Sequence, residues 1–271
     1  MPRPAPALSR WKVLLLNRLR SLLPLASATA VLMALPWPSQ AHEANPHWTY
    51  YAGHHGDPAH WAELDPKFEA CAVGQRQSPI DIRGAVPADL PPLQFSYGAA
   101  QPTWVNNGHT VQVNLAEGAT LKVGERSFNL LQFHFHTPSE EALNGKRLDL
   151  VAHFVHRDAE GRLGVVAVLF KRGAPNPAWA PVLSHLPRPG EQLTVPELSL
   201  DLASLLPAQT GYYSFEGSLT TPPCSEGVSW MVLKTPVNIG ADQLAEFRKL
   251  YHWNARPLQP GHGRQILESR P

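Results

Sequence analysis

Leu130-Leu131-Gln132-Phe133-His134-Phe135-His136-Thr137-Pro138-Ser139-Glu140-Glu141 is the stretch that decides the fold. An extended strand has a side-chain period of two, so His134 and His136 leave one face while Phe133 and Phe135 leave the other. One face is suited to chemistry and the other to a core. A second β-type run, Val151-Ala152-His153-Phe154-Val155-His156, follows a turn at Asn144-Gly145 and is expected beside the first. Two imidazoles at i and i+2 make half of a metal site; a catalytic zinc takes a third protein ligand and keeps a fourth position open. His153 is the expected third ligand. His156, at odd spacing from His153, belongs to the opposite face and is read as an ordinary core or surface histidine.

Outward from these runs, 28 prolines and 19 glycines punctuate short β-type segments, which predicts a mainly β domain with long connections. Strands are expected near 103–106, 110–115, 119–123, 127–136, 148–156, 164–170, 211–216 and 228–233, with a hairpin turn at Asn107-Gly108. Helical spacing is sparse: Asn176 to Leu186 and Ala241 to Tyr251 read as short packing helices. Trp48, Tyr50, His60 and Trp61 form an aromatic cluster near the start of the domain.

The first forty or so residues read as an address. Arg3, Arg10, Lys12, Arg18 and Arg20 precede an apolar run from Ser21 to Leu35, and Ser39-Gln40-Ala41 has the form of a signal-peptidase site. Cleavage after Ala41 is expected, leaving one domain over 42–271 in the periplasm or outside the cell. The apolar run is short for a membrane span, which needs about twenty residues. Losing five basic residues with the leader takes the formal charge from +1 to about −4. That surface has no basic field for nucleic acid and no segment for a membrane. Cys71 and Cys224 both lie in the exported part, and an even count in an oxidising compartment suggests a bond.

The chain closely resembles the α-class carbonic anhydrases of the bacterial secreted kind. The resemblance rests on Gln77-Ser78-Pro79-Ile80-Asp81-Ile82, Asn106-Asn107-Gly108-His109, the stretch from Gln132 to Glu140, His153-Phe154-Val155-His156 and Gly217-Ser218-Leu219-Thr220-Thr221-Pro222-Pro223-Cys224. It implies a large, twisted, mostly antiparallel central sheet with small peripheral helices, and it favours the Cys71–Cys224 bond. It further implies Zn2+ on His134, His136 and His153, and reversible hydration of CO2 to bicarbonate. Three neutral imidazoles leave the metal its full charge and bring the pKa of bound water to ~7, a magnitude established on carbonic anhydrase itself.

By the same resemblance Thr220 donates to Glu140 and accepts from the attacking oxygen. Val155, Val165, Leu219, Val228 and Trp230 wall the CO2 site, and Thr221 stands on its polar side. His109 is the proton shuttle, with Tyr50, Asn107 and Gln112 ordering its water, and Gln132 accepts from the first zinc ligand. Pro79 and Pro223 follow peptide bonds that are cis in the family. Dimers are common among bacterial members, so a homodimer is allowed; no surface stripe marks an interface.

Two positions depart from the family pattern. Where it places a glutamate two residues before the third zinc histidine, this chain has Val151, and its Ser-Glu-His reads Ser139-Glu140-Glu141. The expectation is a relocation, with Glu141 accepting from His153 in the space Val151 frees. The alternative function is a carbonic-anhydrase-like binding module that has lost catalysis, for which Val151 is the argument.

Overall fold

The computed structural model describes residues 47–270. The expected leader at 1–41 and its cleavage after Ala41 lie outside them. Ten strands form the main path of one mixed sheet: β1 (Val86–Ala88), β2 (Pro102–Asn106), β3 (Val111–Leu115), β4 (Arg126–His136), β5 (Leu150–Asp158), β6 (Leu163–Arg172), β7 (Gln192–Thr194), β8 (Tyr212–Ser218), β9 (Glu226–Leu233) and β10 (Leu267–Ser269). Their spatial order is β7-β2-β3-β4-β5-β6-β9-β8-β10-β1, and three shorter strands attach to it. Most neighbours are antiparallel; β6 with β9 and β10 with β1 are parallel.

β4 and β5 sit in the middle of this path because their sequences suit burial on both faces. Phe133, Phe135 and Phe154 join Trp104, Trp179 and Phe247 in the larger core. On the opposite side, Val151, Val155, Val165, Val228 and Trp230 form a second apolar cluster under the histidines. Eight expected strands appear within a few residues of their predicted ends. The short strands β1, β7 and β10 carry no periodicity long enough to read.

Ala241–Leu250 is helical as expected, burying Leu244 and Phe247, and Gln243 Oε1 accepts from the Gly240 amide at its start. The expected helix from Asn176 to Leu186 shrinks to Ala180–Leu183. Asn176 instead spends its side-chain carbonyl on the Ala178 amide. At the other end His185 Nδ1 lies 2.7 Å from the Pro181 carbonyl that another turn would have used. Side chains thus compete with the backbone for the helix's own groups.

Both predicted turns form, with positive φ at Gly108, Asn144 and Gly145. Ser78-Pro79 and Pro222-Pro223 are cis, as is Thr137-Pro138. Cys71 and Cys224 are bonded across 153 residues of sequence. Gly217 marks the tightest approach beside this region: a Cβ there would stand 2.2 Å from Ser78 Oγ and 2.7 Å from Trp230 Cδ1.

Candidate metal centre

The register sets His153 of β5 directly opposite His134 of β4, with His136 two residues along and on the same face. One nitrogen from each ring lies within 4.8 Å of the others. The second nitrogen of each ring has an acceptor. His134 Nδ1 is 2.9 Å from Gln132 Oε1, and His136 Nδ1 is 2.7 Å from the Asn254 carbonyl. His153 Nε2 is 3.1 Å from Glu141 Oε1 and 3.3 Å from Oε2. A carboxylate or carbonyl oxygen only accepts, so each proton belongs on that second nitrogen. Nε2 of His134, Nε2 of His136 and Nδ1 of His153 keep their lone pairs, and these are the nitrogens left free for a shared ion.

Burial keeps two of these rings neutral: it lowers the pKa of His134 to about 3, with repulsion from His153 adding to it, and it lowers that of His136 as well. At His153 burial also acts downward, but the charge and hydrogen bond of Glu141 outweigh it and the pKa rises. His136 Nε2 and Glu140 Oε2 are both buried without a hydrogen-bond partner and lie 3.5 Å apart. An unsatisfied imidazole nitrogen and an unsatisfied carboxylate oxygen are costly to bury. Three convergent lone pairs beside the two buried carboxylates Glu140 and Glu141 are a donor set and charge that a divalent cation such as zinc would satisfy.

Glu140 Oε1 accepts from the Arg256 amide at 2.7 Å. Burial pushes the pKa of Glu140 up to about 7, and Glu141 adds to the rise, against the opposing pull of His153, Thr220 and the Arg256 amide. Thr220 is buried beside it. Arg256 is itself buried: its guanidinium donates to Gln77 Oε1, the Ser78 carbonyl and the Cys71 carbonyl. Gln77 in turn donates to the Cys224 carbonyl, so the disulfide, the Thr220 loop and Glu140 share one hydrogen-bonded frame.

A cavity of about 170 Å³ opens above the histidines. Tyr50, Asn107, His109, Gln112, Gln132 and Thr221 line it together with the apolar Val155 and Leu219. Val165, Val228 and Trp230 do not line it; they are buried in the cluster to which Val155 and Leu219 belong, and the Trp230 ring stands edge-on to His153 at 4.9 Å. Asn107 accepts the His109 and Thr110 amides with its side-chain carbonyl, which leaves only its amide group for the cavity. The Tyr50 hydroxyl is buried with no partner among the described residues.

His109 lies flat on Trp48, ring centroids 3.6 Å apart and planes 8° from parallel. Half-burial there, with His47 nearby, lowers its pKa to about 4. His156 faces away from the site, between the Tyr97 hydroxyl and the Gly164 carbonyl.

Asn254, which the resemblance places with Arg256, Pro257, Arg264 and Gln265 in a C-terminal structural motif and gives no role at the histidines, holds the centre from outside the sheet. Asn254 accepts from the Thr137 amide, donates to the carbonyls of His109 and Phe135, and offers its own carbonyl to His136. It lies 118 residues from His136 and carries no local pattern that would have marked this role.

Fold and site together define a mixed-sheet protein with a three-imidazole centre of the zinc-enzyme type at the foot of a half-polar cavity. The eukaryotic-type carbonic anhydrase family model matches residues 56–270. A carbonic anhydrase of Pectobacterium carotovorum is 45% identical over 222 residues, covering 82% of this chain and 90% of that protein. One from Neisseria gonorrhoeae is 39% identical over 248 residues, covering 91% and 97%. The solved α-carbonic anhydrase of Photobacterium profundum superposes with a TM-score of 0.77 at 43% identity, covering 82% of this chain and all of the other. The chain belongs to the α-class, or eukaryotic-type, carbonic anhydrase family.

Proposed function

We propose that this chain hydrates CO2 reversibly with Zn2+ held by His134, His136 and His153. The observation that carries the reading is the convergence of three lone pairs, each selected by an acceptor on the other side of its ring. When bound, zinc supplies the Lewis acidity that makes a water nucleophilic near neutral pH. Glu140, with one oxygen committed to the Arg256 amide, keeps its other oxygen buried and unpartnered beside Thr220, where it can take the Thr220 hydroxyl as a donor. In its ionised form Glu140 only accepts, which makes Thr220 a donor toward it and an acceptor toward the attacking oxygen and leaves a lone pair aimed at the substrate.

CO2 is apolar, so Val155 and Leu219, backed by Val165, Val228 and Trp230, give it a dry wall beside the histidines. Thr221 takes the polar side, where bicarbonate leaves. Tyr50, Asn107 and Gln112 line the cavity between this point and His109, with polar groups that would order water there. His109 stands at the end of that cavity as the shuttle, and its burial on Trp48 lowers its pKa below the near-neutral value at which a shuttle works best.

The disulfide, and the absence among the described residues of any helix able to cross a membrane, are consistent with an exported protein. We read residues 1–41 as the signal peptide that directs the 42–271 domain to the periplasm or the exterior.

Stopped-flow CO2 hydration across pH, with zinc quantified in the same oxidised sample, tests the assignment. Near-stoichiometric zinc with hydration rising through neutral pH is the expected result, and Thr220→Ala should lower it severely at unchanged zinc content. Full zinc with no hydration would overturn it in favour of a binding module.

A further inference from the structure

Glu140 and Glu141 are consecutive and both fully buried. In a strand, neighbouring side chains point to opposite faces. Here the backbone over residues 137–141 is irregular, so both carboxylates enter the same interior, one towards His136 and the other onto His153. The segment is pinned in that shape. The Ser139 amide donates to the Leu148 carbonyl, the Leu148 amide to Ser139 Oγ, and Ser139 Oγ to the Glu141 carbonyl.

The Glu141 carboxylate has no hydrogen-bond partner among the described residues other than His153 Nε2, which approaches both of its oxygens. A buried charge resting on one N–H is costly unless that N–H belongs to a group bound to a cation. β5 offers no substitute, because the residue two before His153 on the same face is Val151, packed in the apolar cluster.

We propose that Glu141 is the positioning residue for His153: it holds the Nε2 proton, turns Nδ1 toward the metal, and brings from the Glu140 loop the negative charge that β5 lacks at Val151. The inference rests on the zinc reading above. One short loop then serves two tasks, since Glu140 aims Thr220 while its neighbour orients the third ligand.

Zinc affinity, measured by competition with a chromophoric chelator, is the direct test. Glu141→Ala should weaken binding about 10–100-fold, the range typical of losing an acceptor behind a metal-bound histidine. Glu141→Gln should weaken it less, because its amide oxygen still accepts. Placing Val151→Glu into the Glu141→Ala background, which returns a carboxylate from the strand, should recover most of the loss. A packing role alone would not give that rescue. Ring nitrogen shifts of His153 give a second readout: the Nε2–H tautomer should dominate in the native protein and in Glu141→Gln, and mix in Glu141→Ala. If Glu141→Ala does not fold, Glu141→Gln decides alone. Zinc affinities within twofold of native in the folded variants would overturn the inference. Native protein that failed to hold zinc tightly would instead sink the functional reading on which it stands.

Discussion

Replacing Arg256 by methionine tests whether the frame behind the site is held by a buried charge. The side chain is 1% exposed, and its guanidinium donates to three oxygens at 2.7–3.1 Å while lying 5.5 Å from the Trp61 ring centre. Hydrogen bonds to a charged group are worth about 1.5–3 kcal/mol each, so three lost bonds remove roughly 6 kcal/mol. Against that stands the cost of holding the charge there: burial lowers the Arg256 pKa from 12.5 to about 10, worth roughly 3 kcal/mol at ~1.36 kcal/mol per pKa unit. Methionine fills much of the stem's volume without that cost. The net expectation is a loss of about 3 kcal/mol, or roughly 6–12 °C in melting temperature for a domain of this size.

Zinc content should change little, because the backbone amide at position 256 still donates to Glu140. Equilibrium urea unfolding of the oxidised protein, beside zinc analysis and CO2 hydration, measures all three quantities. A loss below about 1 kcal/mol would refute the reasoning. So would a collapse of activity at unchanged stability and zinc, since the guanidinium would then act in the site and not as a clamp behind it.

Three further expectations follow from other parts of the molecule. Burial holds the His156 pKa at about 4, below its unfolded value, so its contribution is complete above pH ~6.5 and is lost as pH falls toward 4. The slope should approach ~1.4 kcal/mol per pH unit, and urea midpoints of His156→Gln measured across this window should lack that part of the acid sensitivity. Trp48→Ala removes the face on which His109 stacks, so the His109 pKa should rise from about 4 toward ~6.5 in a proton NMR titration. An unchanged value would show that Trp48 is not what buries the ring. Cys71→Ser opens a closed loop of 153 residues, for which chain entropy alone gives about 5 kcal/mol. Calorimetry should find a melting temperature lower by roughly 10–20 °C; one equal to that of the oxidised protein would mean that the frame around Arg256 holds the two segments without the bond.

What was legible in the sequence is what periodicity writes plainly. His134, His136 and His153 share a face because a strand's period is two, and the same period put His156 behind them. β4, β5 and β6 were readable because they are long and rich in branched and aromatic residues. The helix expected over 176–186 failed because Asn176 and His185 satisfy backbone groups with side chains, which hydrophobic spacing does not record. Asn254 and Arg256 act across more than a hundred residues, so no window around either shows its partner. Val165, Val228 and Trp230 were assigned to the cavity wall by resemblance and lie one layer behind it, a distinction between touching and backing that only packing resolves. Glu141 was inferred from two substitutions at separate positions, and its contact with His153 is the geometry that inference requires.

The Cys71–Cys224 bond has a consequence in time. A chain made from its N-terminus presents Cys71 long before Cys224 exists, and the sequence contains no third cysteine. Until the last quarter of the chain arrives, the first thiol can pair only with a foreign one. Scrambling within the molecule is impossible, and the one error open to it is intermolecular, curable by the arrival of its own partner. Because Gln77 and Arg256 tie the same two cysteine segments to Glu140, the bond and the frame behind the Thr220 loop both wait for residues near the far end of the chain.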